Sequence, residues 1–340
     1  MKRLLVLILP FIFAACSLID DDLTVCSDDL VIGYQVQLST ELSMQLQTEL
    51  MVESEAYVRN ALSSWLAPVF TDRAHDLDLR FYSVRTEQER YRIQEIIDDN
   101  RTSYTFQLPK ESYKHLAVVN IVDNPQVQLS GSEHLSTMSI QVPEKENQVP
   151  PFTTGVFTAR MPMEIGDSSE NFSVRLYMAS AAVAVVIDTT SCGEMVDVAG
   201  YMSGAANAFM VDDSVFLYDR PCPMSFEYIP ISTDTTETKP WHKMPRAQIK
   251  QPYVCYGTVS FPTQDGEEWK VSLMTTLTDD RHTTTTFTLK KTLTAGTLRI
   301  IKTKMDEKGT IVPIDTEQGQ EVGVTVELDW TPGSEHEIDI

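Results

Sequence analysis

The chain has 340 residues, 42% of them apolar and 22% charged, which is enough apolar material for sizeable cores and excludes a wholly disordered polypeptide. Its 49 acidic residues against 27 basic ones give a net charge of −22. That excess repels phosphate backbones and anionic headgroups, and no basic stripe interleaved with aromatics is present, so nucleic acid is excluded as a partner class.

At the N-terminus, Lys2 and Arg3 precede an apolar run from Leu4 to Phe13, and the small residues Ala14 and Ala15 follow. This layout predicts a signal peptide over residues 1–15. The run is too short to cross a bilayer, which takes about 20 apolar residues. The order Phe13-Ala14-Ala15-Cys16 resembles a bacterial lipoprotein processing site, although Phe13 stands where Leu is usual. The resemblance implies that Cys16 is lipidated and anchors the chain in the outer membrane, with residues 16–30 as a tether. Each buried methylene contributes about 0.8 kcal/mol, and two or more acyl chains hold stably. Asp20, Asp21 and Asp22 read as a solvated charge run. Acidic residues just after a lipidated cysteine also resemble the surface-export signal of Bacteroidota lipoproteins, an address read by a receptor.

Beyond the tether, VIGYQVQLS alternates as a half-buried strand does. Over residues 52–69 the period changes: Val58, Leu62, Trp65, Leu66 and Val69 fall at helical spacing, with Pro68 near the end. LDLRFYSV alternates again, with Leu77, Leu79 and Phe81 on one face; residues 86–99 fit a charged helix or a surface strand equally well. SYTFQLP alternates Tyr104, Phe106 and Leu108, and HLAVVNIV reads as a strand buried on both faces. Residues 123–170 are rich in Pro, Ser, Asn and Gly and predict long loops. FSVRLYMASAAVAVVID reads as one long strand-like run near a domain boundary at about residue 170.

The second half offers FLYD, SFEYIPIS, YVCYGTVSF, WKVSLMTTL and TTTTFTLKK as strands, with LTDDRHT as a hairpin turn and STDTTETKP as a solvated loop. In EVGVTVELDW, Val322, Val324, Val326, Leu328 and Trp330 share one face and the acids the other, which sets the register. Many short strands with few helices predict a mainly β chain of two tandem β-sandwich domains, residues 31–169 and 170–335. No short internal repeat is visible.

Catalytic motifs are missing: there is no His-Glu-x-x-His, no Gly-x-Ser-x-Gly and no Gly-rich phosphate loop, so no cofactor and no enzyme activity is expected. His75, Asp76 and Asp78 lie close in sequence, but no further ligands cluster with them, and a hydrogen-bonded strand-border histidine is the plainer reading. With Cys16 lipidated, Cys26, Cys192, Cys222 and Cys255 allow two disulfides in three connectivities. Cys222 with Cys255 is the preferred pair, buried free thiols being the alternative. Trp241 and Trp269 sit in loop-like contexts where a sugar ring could stack, whereas Trp65 and Trp330 read as core.

CSLIDDDLTVC, LPKESYKHLAVVNI, VRLYMASAAVAVVID and VTVELDWTPG together resemble the FimB-type fimbrial subunits of Bacteroidales, relatives of the fimbrillins of type V pili. The resemblance implies two transthyretin-like sandwiches, a lipid anchor at the outer membrane facing the cell surface, and a role as pilus anchor, accessory or tip subunit. Its implied partners are fimbrillin-like subunits joined by β-strand pairing, with a host or bacterial surface ligand as a further candidate. A glycan- or ligand-binding surface lipoprotein is the alternative. Asp188-Thr189-Thr190, Asp213-Ser214-Val215 and Asp234-Thr235-Thr236 resemble Bacteroidota O-glycosylation sites.

Overall fold

The computed structural model describes residues 30–38, 56–70, 76–96, 103–122, 124–144, 148–166, 170–192, 195–231, 252–278, 281–314, 322–330 and 334–337. The expected signal peptide, Cys16, Asp20, Asp21, Asp22, Cys26, His75, the 232–240 loop and Trp241 lie outside the described residues. So do the side-chain faces expected of the 322–330 strand.

The first half contains β1 (Leu30–Leu38), α1 (Ala56–Phe70), β2 (Asp76–Ser83), β3 (Glu89–Ile96), β4 (Ser103–Leu108), β5 (Ser112–Val119), β6 (Gln128–Ser130), β7 (Ser139–Gln141), β8 (Phe157–Glu164) and β9 (Glu170–Met178). The second contains β10 (Ala181–Asp188), β11 (Met195–Ser203), β12 (Ala208–Met210), β13 (Val215–Leu217), β14 (Met224–Ser225), β15 (Glu227–Ile229), β16 (Tyr253–Ser260), β17 (Trp269–Leu277), β18 (His282–Leu289), β19 (Leu298–Met305), β20 (Ile311–Pro313), β21 (Val322–Trp330) and β22 (Ser334–Glu337). The chain is mainly β.

In the first sandwich, layer β3-β2-β5-β8 faces layer β9-β1-β4, and the two join at a corner through Phe157↔Met178 and Thr158↔Tyr177. Rings from the two layers meet in between, with Phe106 of β4 4.9 Å from Phe81 of β2 and 5.8 Å from Tyr91 of β3. The second sandwich has layers β15-β16-β10-β19-β20 and β14-β11-β17-β18-β21-β22.

The two halves repeat one plan. β1 runs antiparallel to β4 and parallel to β9; β10 runs antiparallel to β16 and parallel to β19. The opposing layers β3-β2-β5-β8 and β14-β11-β17-β18 match strand for strand in chain order and direction. In the second half, β15 is added beside β16, β20 beside β19, and β21 with β22 beside β18.

Local sequence explains most elements. Val58, Leu62, Leu66 and Val69 of α1 are buried on one stripe. In β10, Ala181 to Ile187 are all buried, as befits a strand held between β16 and β19 and covered on both faces. Of residues 86–99, Glu89–Ile96 form a strand and not a helix, the edge strand β3.

Three expectations are corrected. Residues 123–170 are not only loops, because they contain the eight-residue β8. Pro162 disguised it, yet beyond Thr158 β8 has a ladder partner on one side only among the described residues, where a missing N–H costs little. The long run from Phe172 is not one strand but two, with Ala179 and Ser180 between them: β9 pairs with β1, and β10 with β16 and β19. β2 does not alternate in burial, since all eight of its residues are buried.

The halves are joined tightly. Trp65 of α1 lies against β16, where a Cβ on Gly257 would come 2.4 Å from its ring, and its indole N–H donates to Glu227 Oε1 at 2.6 Å. At the helix end, a Cβ on Gly155 would sit 2.0 Å from the Val69 carbonyl oxygen, so only glycine permits this approach. Residues of the first half bond to the second sandwich through Val142 N–H to Asn207 O, Val149 N–H to Pro223 O and Phe152 N–H to Val259 O. Phe152, Phe209, Phe216 and Phe261 form one aromatic cluster across the join. A small sheet, β13-β12-β7-β6, pairs strands from both halves.

Candidate functional site

Two kinds of surface can bind: open strand edges and a cleft. Among the described residues β3 pairs only with β2, and β4 only with β1. β3 presents exposed Arg90 and Arg92, charges of the kind that deter an incoming strand. β4 differs. Tyr104, Phe106 and Leu108 point into the core, while exposed Thr105 and Gln107 carry no charge. Its outer N–H and C=O groups are what an added strand needs.

Behind β3, the outer face of β2 is buried under residues 131–138 and holds an ionic cluster. Arg80 Nε meets Asp78 Oδ1 at 2.8 Å, and Arg80 Nη1 meets Glu89 Oε2 at 2.5 Å. Arg92 reaches Asp78 Oδ2 at 2.8 Å. The Tyr82 hydroxyl donates to Ser132 O at 2.6 Å, and burial pushes its pKa up to about 12. These groups satisfy one another, so the cluster fastens the covering loop. His115 is fully buried, stacks on Phe81 with centroids 4.4 Å apart, and has Nδ1 2.9 Å from Arg80 O. Burial lowers its pKa to about 4, which keeps the ring neutral at physiological pH. Among the described residues no group of three or more His, Cys, Asp or Glu is placed to hold a metal.

A cleft of about 360 Å³ opens in the second half. Tyr218, Arg220, Gln264, Glu267 and Glu268 line it, above a floor that includes Trp269. Carboxylates, an amide, the Arg220 guanidinium and one half-buried ring suit a polyhydroxylated ligand. Sequence reasoning missed Tyr218, Arg220, Gln264, Glu267 and Glu268, because they come from two stretches at least 44 positions apart (264 − 220) that only the fold brings together.

Trp269 is not the exposed platform anticipated. It is 1% exposed at the start of β17, and its indole N–H donates to Lys291 O at 2.9 Å. The Cys222–Cys255 bridge is not formed. Cys222 carries a free thiol 3.8 Å from Met224 Sδ, and burial pushes its pKa up to about 11; Cys255 sits within β16 opposite Val186 and Ile229. Of the glycosylation-like triplets, Thr189 is buried and so closed to modification, Ser214 is exposed on a turn, and residues 234–236 lie outside the described residues.

No family model and no curated protein matches the chain. Solved structures do. A candidate adhesin of Bacteroides ovatus aligns with a TM-score of 0.52 at 7% identity, over 92% of this chain and 96% of that one. A candidate polysaccharide-binding protein of Bacteroides thetaiotaomicron aligns at 0.49 and 10% identity, over 91% and 98%. The fimbrial anchor protein Mfa2 of Porphyromonas gingivalis aligns at 0.49 and 10% identity, over 87% and 97%. The chain thus has the tandem β-sandwich fold of the Bacteroides ovatus protein over nearly its full length. At this identity, fold is what the two share.

Proposed function

We infer that the chain is a non-enzymatic surface lipoprotein that serves as an anchor, accessory or tip subunit of a fimbrium. Cys16 carries the lipid in this reading, Asp20, Asp21 and Asp22 direct export, and the partners are fimbrillin-like subunits. The observation that carries it is the β4 edge: core-anchored on its inner face, uncharged outside and without a second β partner among the described residues. An extended segment from a neighbouring subunit would add there through main-chain hydrogen bonds. The fold shared with a candidate adhesin supports the same reading. Crosslinking from intact piliated cells, with mass spectrometry of the adducts, tests it. Fimbrial subunits crosslinked near Thr105 and Gln107 are expected, and their absence would sink the reading. Cys16→Ser is expected to release the protein from the membrane fraction.

The cleft beside Tyr218 favours a second reading, a glycan- or ligand-binding lipoprotein. A glycan array with the wild-type chain and Tyr218→Ala separates the two: binding lost in the variant would support the second.

A further inference from the structure

Both sandwiches contain a feature that assembly does not use. In each, the first strand of the seven-strand plan lies parallel to the last, in register from Ile32↔Glu170 to Leu38↔Leu176 and from Ala182↔Leu298 to Asp188↔Lys304. A parallel pair sets both N-ends together and both C-ends together. The chain enters the first pair at the N-end of β1 and leaves at the C-end of β9. After only Ala179 and Ser180 it enters the second at the N-end of β10, and leaves at the C-end of β19. Tension along the chain therefore drags the two strands of each pair in opposite directions along their own axes. All the ladder bonds carry the load at once and fail together. A hairpin pulled at its open end instead loses its bonds singly.

Other observations agree. β1 is held on its second side by β4, from Leu30↔Leu108 to Gln35↔Ser103, and β10 by β16 along its whole length. Neither first strand can slide off as an edge. The link between the pairs has no slack: Ala179 and Ser180 are buried, Ala179 N–H donates to Val156 O, and Gly296 N–H donates to Ser180 O. With the thiol of Cys222 free, the resistance comes from hydrogen bonds and packing and not from the bridge expected there.

We propose that the β1–β9 and β10–β19 ladders are two mechanical clamps in series, which let the chain bear tension between an N-terminal attachment and a partner held further along. β20, β21 and β22 lie outside the second clamp and yield before it is loaded. Clamping is a property of the fold; its use in the cell rests on the surface-attachment reading above.

The test is single-molecule stretching of the unlipidated mature chain in two geometries. One pulls between the N- and C-termini. The other pulls between the N-terminus and a ligation tag inserted after exposed Pro109, which opens β1 from β4 pair by pair starting at Leu30↔Leu108. Matching circular dichroism and thermal melting establish that the tagged chain folds as the parent does. End-to-end pulling is expected to give two abrupt events, lengthening the chain by about 50 nm and about 40 nm, the contour of residues 30–178 and 181–305. Their rupture force is expected to be about threefold above that of the peeling geometry, since forced unfolding follows the unfolding barrier of the loaded path. Equal forces in the two geometries, or smooth end-to-end lengthening without abrupt events, overturns the proposal. Neither result depends on whether a fimbrial partner exists, so failure of the clamps and failure of the pilus reading are told apart.

Discussion

The two sandwiches share a seven-strand plan but treat their edges differently. In the second, β15 covers part of β16, the counterpart of β4, and β21 covers β18, the counterpart of β8. In the first, β4 has no such cover among the described residues, and β8 is paired with β9 only at Phe157 and Thr158. An open edge is a liability that proteins normally blunt. β3 is blunted by charge and β8 carries Pro162, whereas β4 carries neither. Among the described residues, then, the second half adds strands beside β16 and β18, and the first half leaves β4 as an uncharged edge of the kind that can accept a partner strand.

The largest effect expected is on the half that lacks added strands. Arg80→Ala leaves Asp78 without its bidentate partner beneath the 131–138 loop and should cost about 3–5 kcal/mol, read as a fall in the urea midpoint. Phe261→Ala removes a fully buried ring from the aromatic cluster at the join, with a similar loss of about 3–5 kcal/mol. Calorimetry of that variant should still show one transition. Two separated transitions would mean that the halves are less coupled than the shared cluster implies.

Acid should weaken the first sandwich through His115. Its folded pKa of about 4 lies below the ordinary 6.5, so the unfolded chain binds the proton more readily. The contribution is complete above pH 6.5 and is lost progressively as pH falls toward 4, a change on the order of 3 kcal/mol. His115→Phe should flatten that part of the stability–pH curve, measured by urea unfolding between pH 7.5 and 4. An unchanged slope would assign the acid sensitivity to other groups.

Smaller effects test the join and the edge. Trp65→Phe removes the hydrogen bond to Glu227 and should cost about 1 kcal/mol, since the bond is partly solvated. Thr105→Lys with Gln107→Lys should alter stability by no more than about 0.5 kcal/mol, both sites being exposed. The same pair should abolish strand addition at β4, because two charges then line the edge. Retained crosslinks in that variant would place the partner elsewhere.

Local periodicity determined much of this protein. The alternation of Tyr104, Phe106 and Leu108, the stripe of Val58, Leu62, Leu66 and Val69, and the unbroken apolar run of β10 each reveal their element, because burial of one face repeats at the strand or helix period. The many short strand patterns with few helices likewise indicated a mainly β chain. β8 escaped that reading because Pro162 and Arg160 interrupt its apolar pattern, and the break between β9 and β10 escaped it because Ala179 and Ser180 are as buried as their neighbours. Arg80 falls between Leu79 and Phe81, opposite the face that the alternation marks as apolar. Only a loop some fifty residues away, folding over β2, made it a buried ion.

Which segments meet across long stretches of chain is set by the folded structure and not by local pattern. The repeated strand plan leaves no trace as a sequence repeat, since a sandwich constrains the polarity pattern of its strands far more than their residues. Parallel pairing of β1 with β9, the union of the Tyr218 and Glu267 loops into one cleft, and the lack of a bridge between Cys222 and Cys255 all depend on such contacts. Local periods mark the apolar face of most strands and of the helix; long-range strand pairing, which no local period encodes, sets which segments become neighbours and which edge has no partner among the described residues.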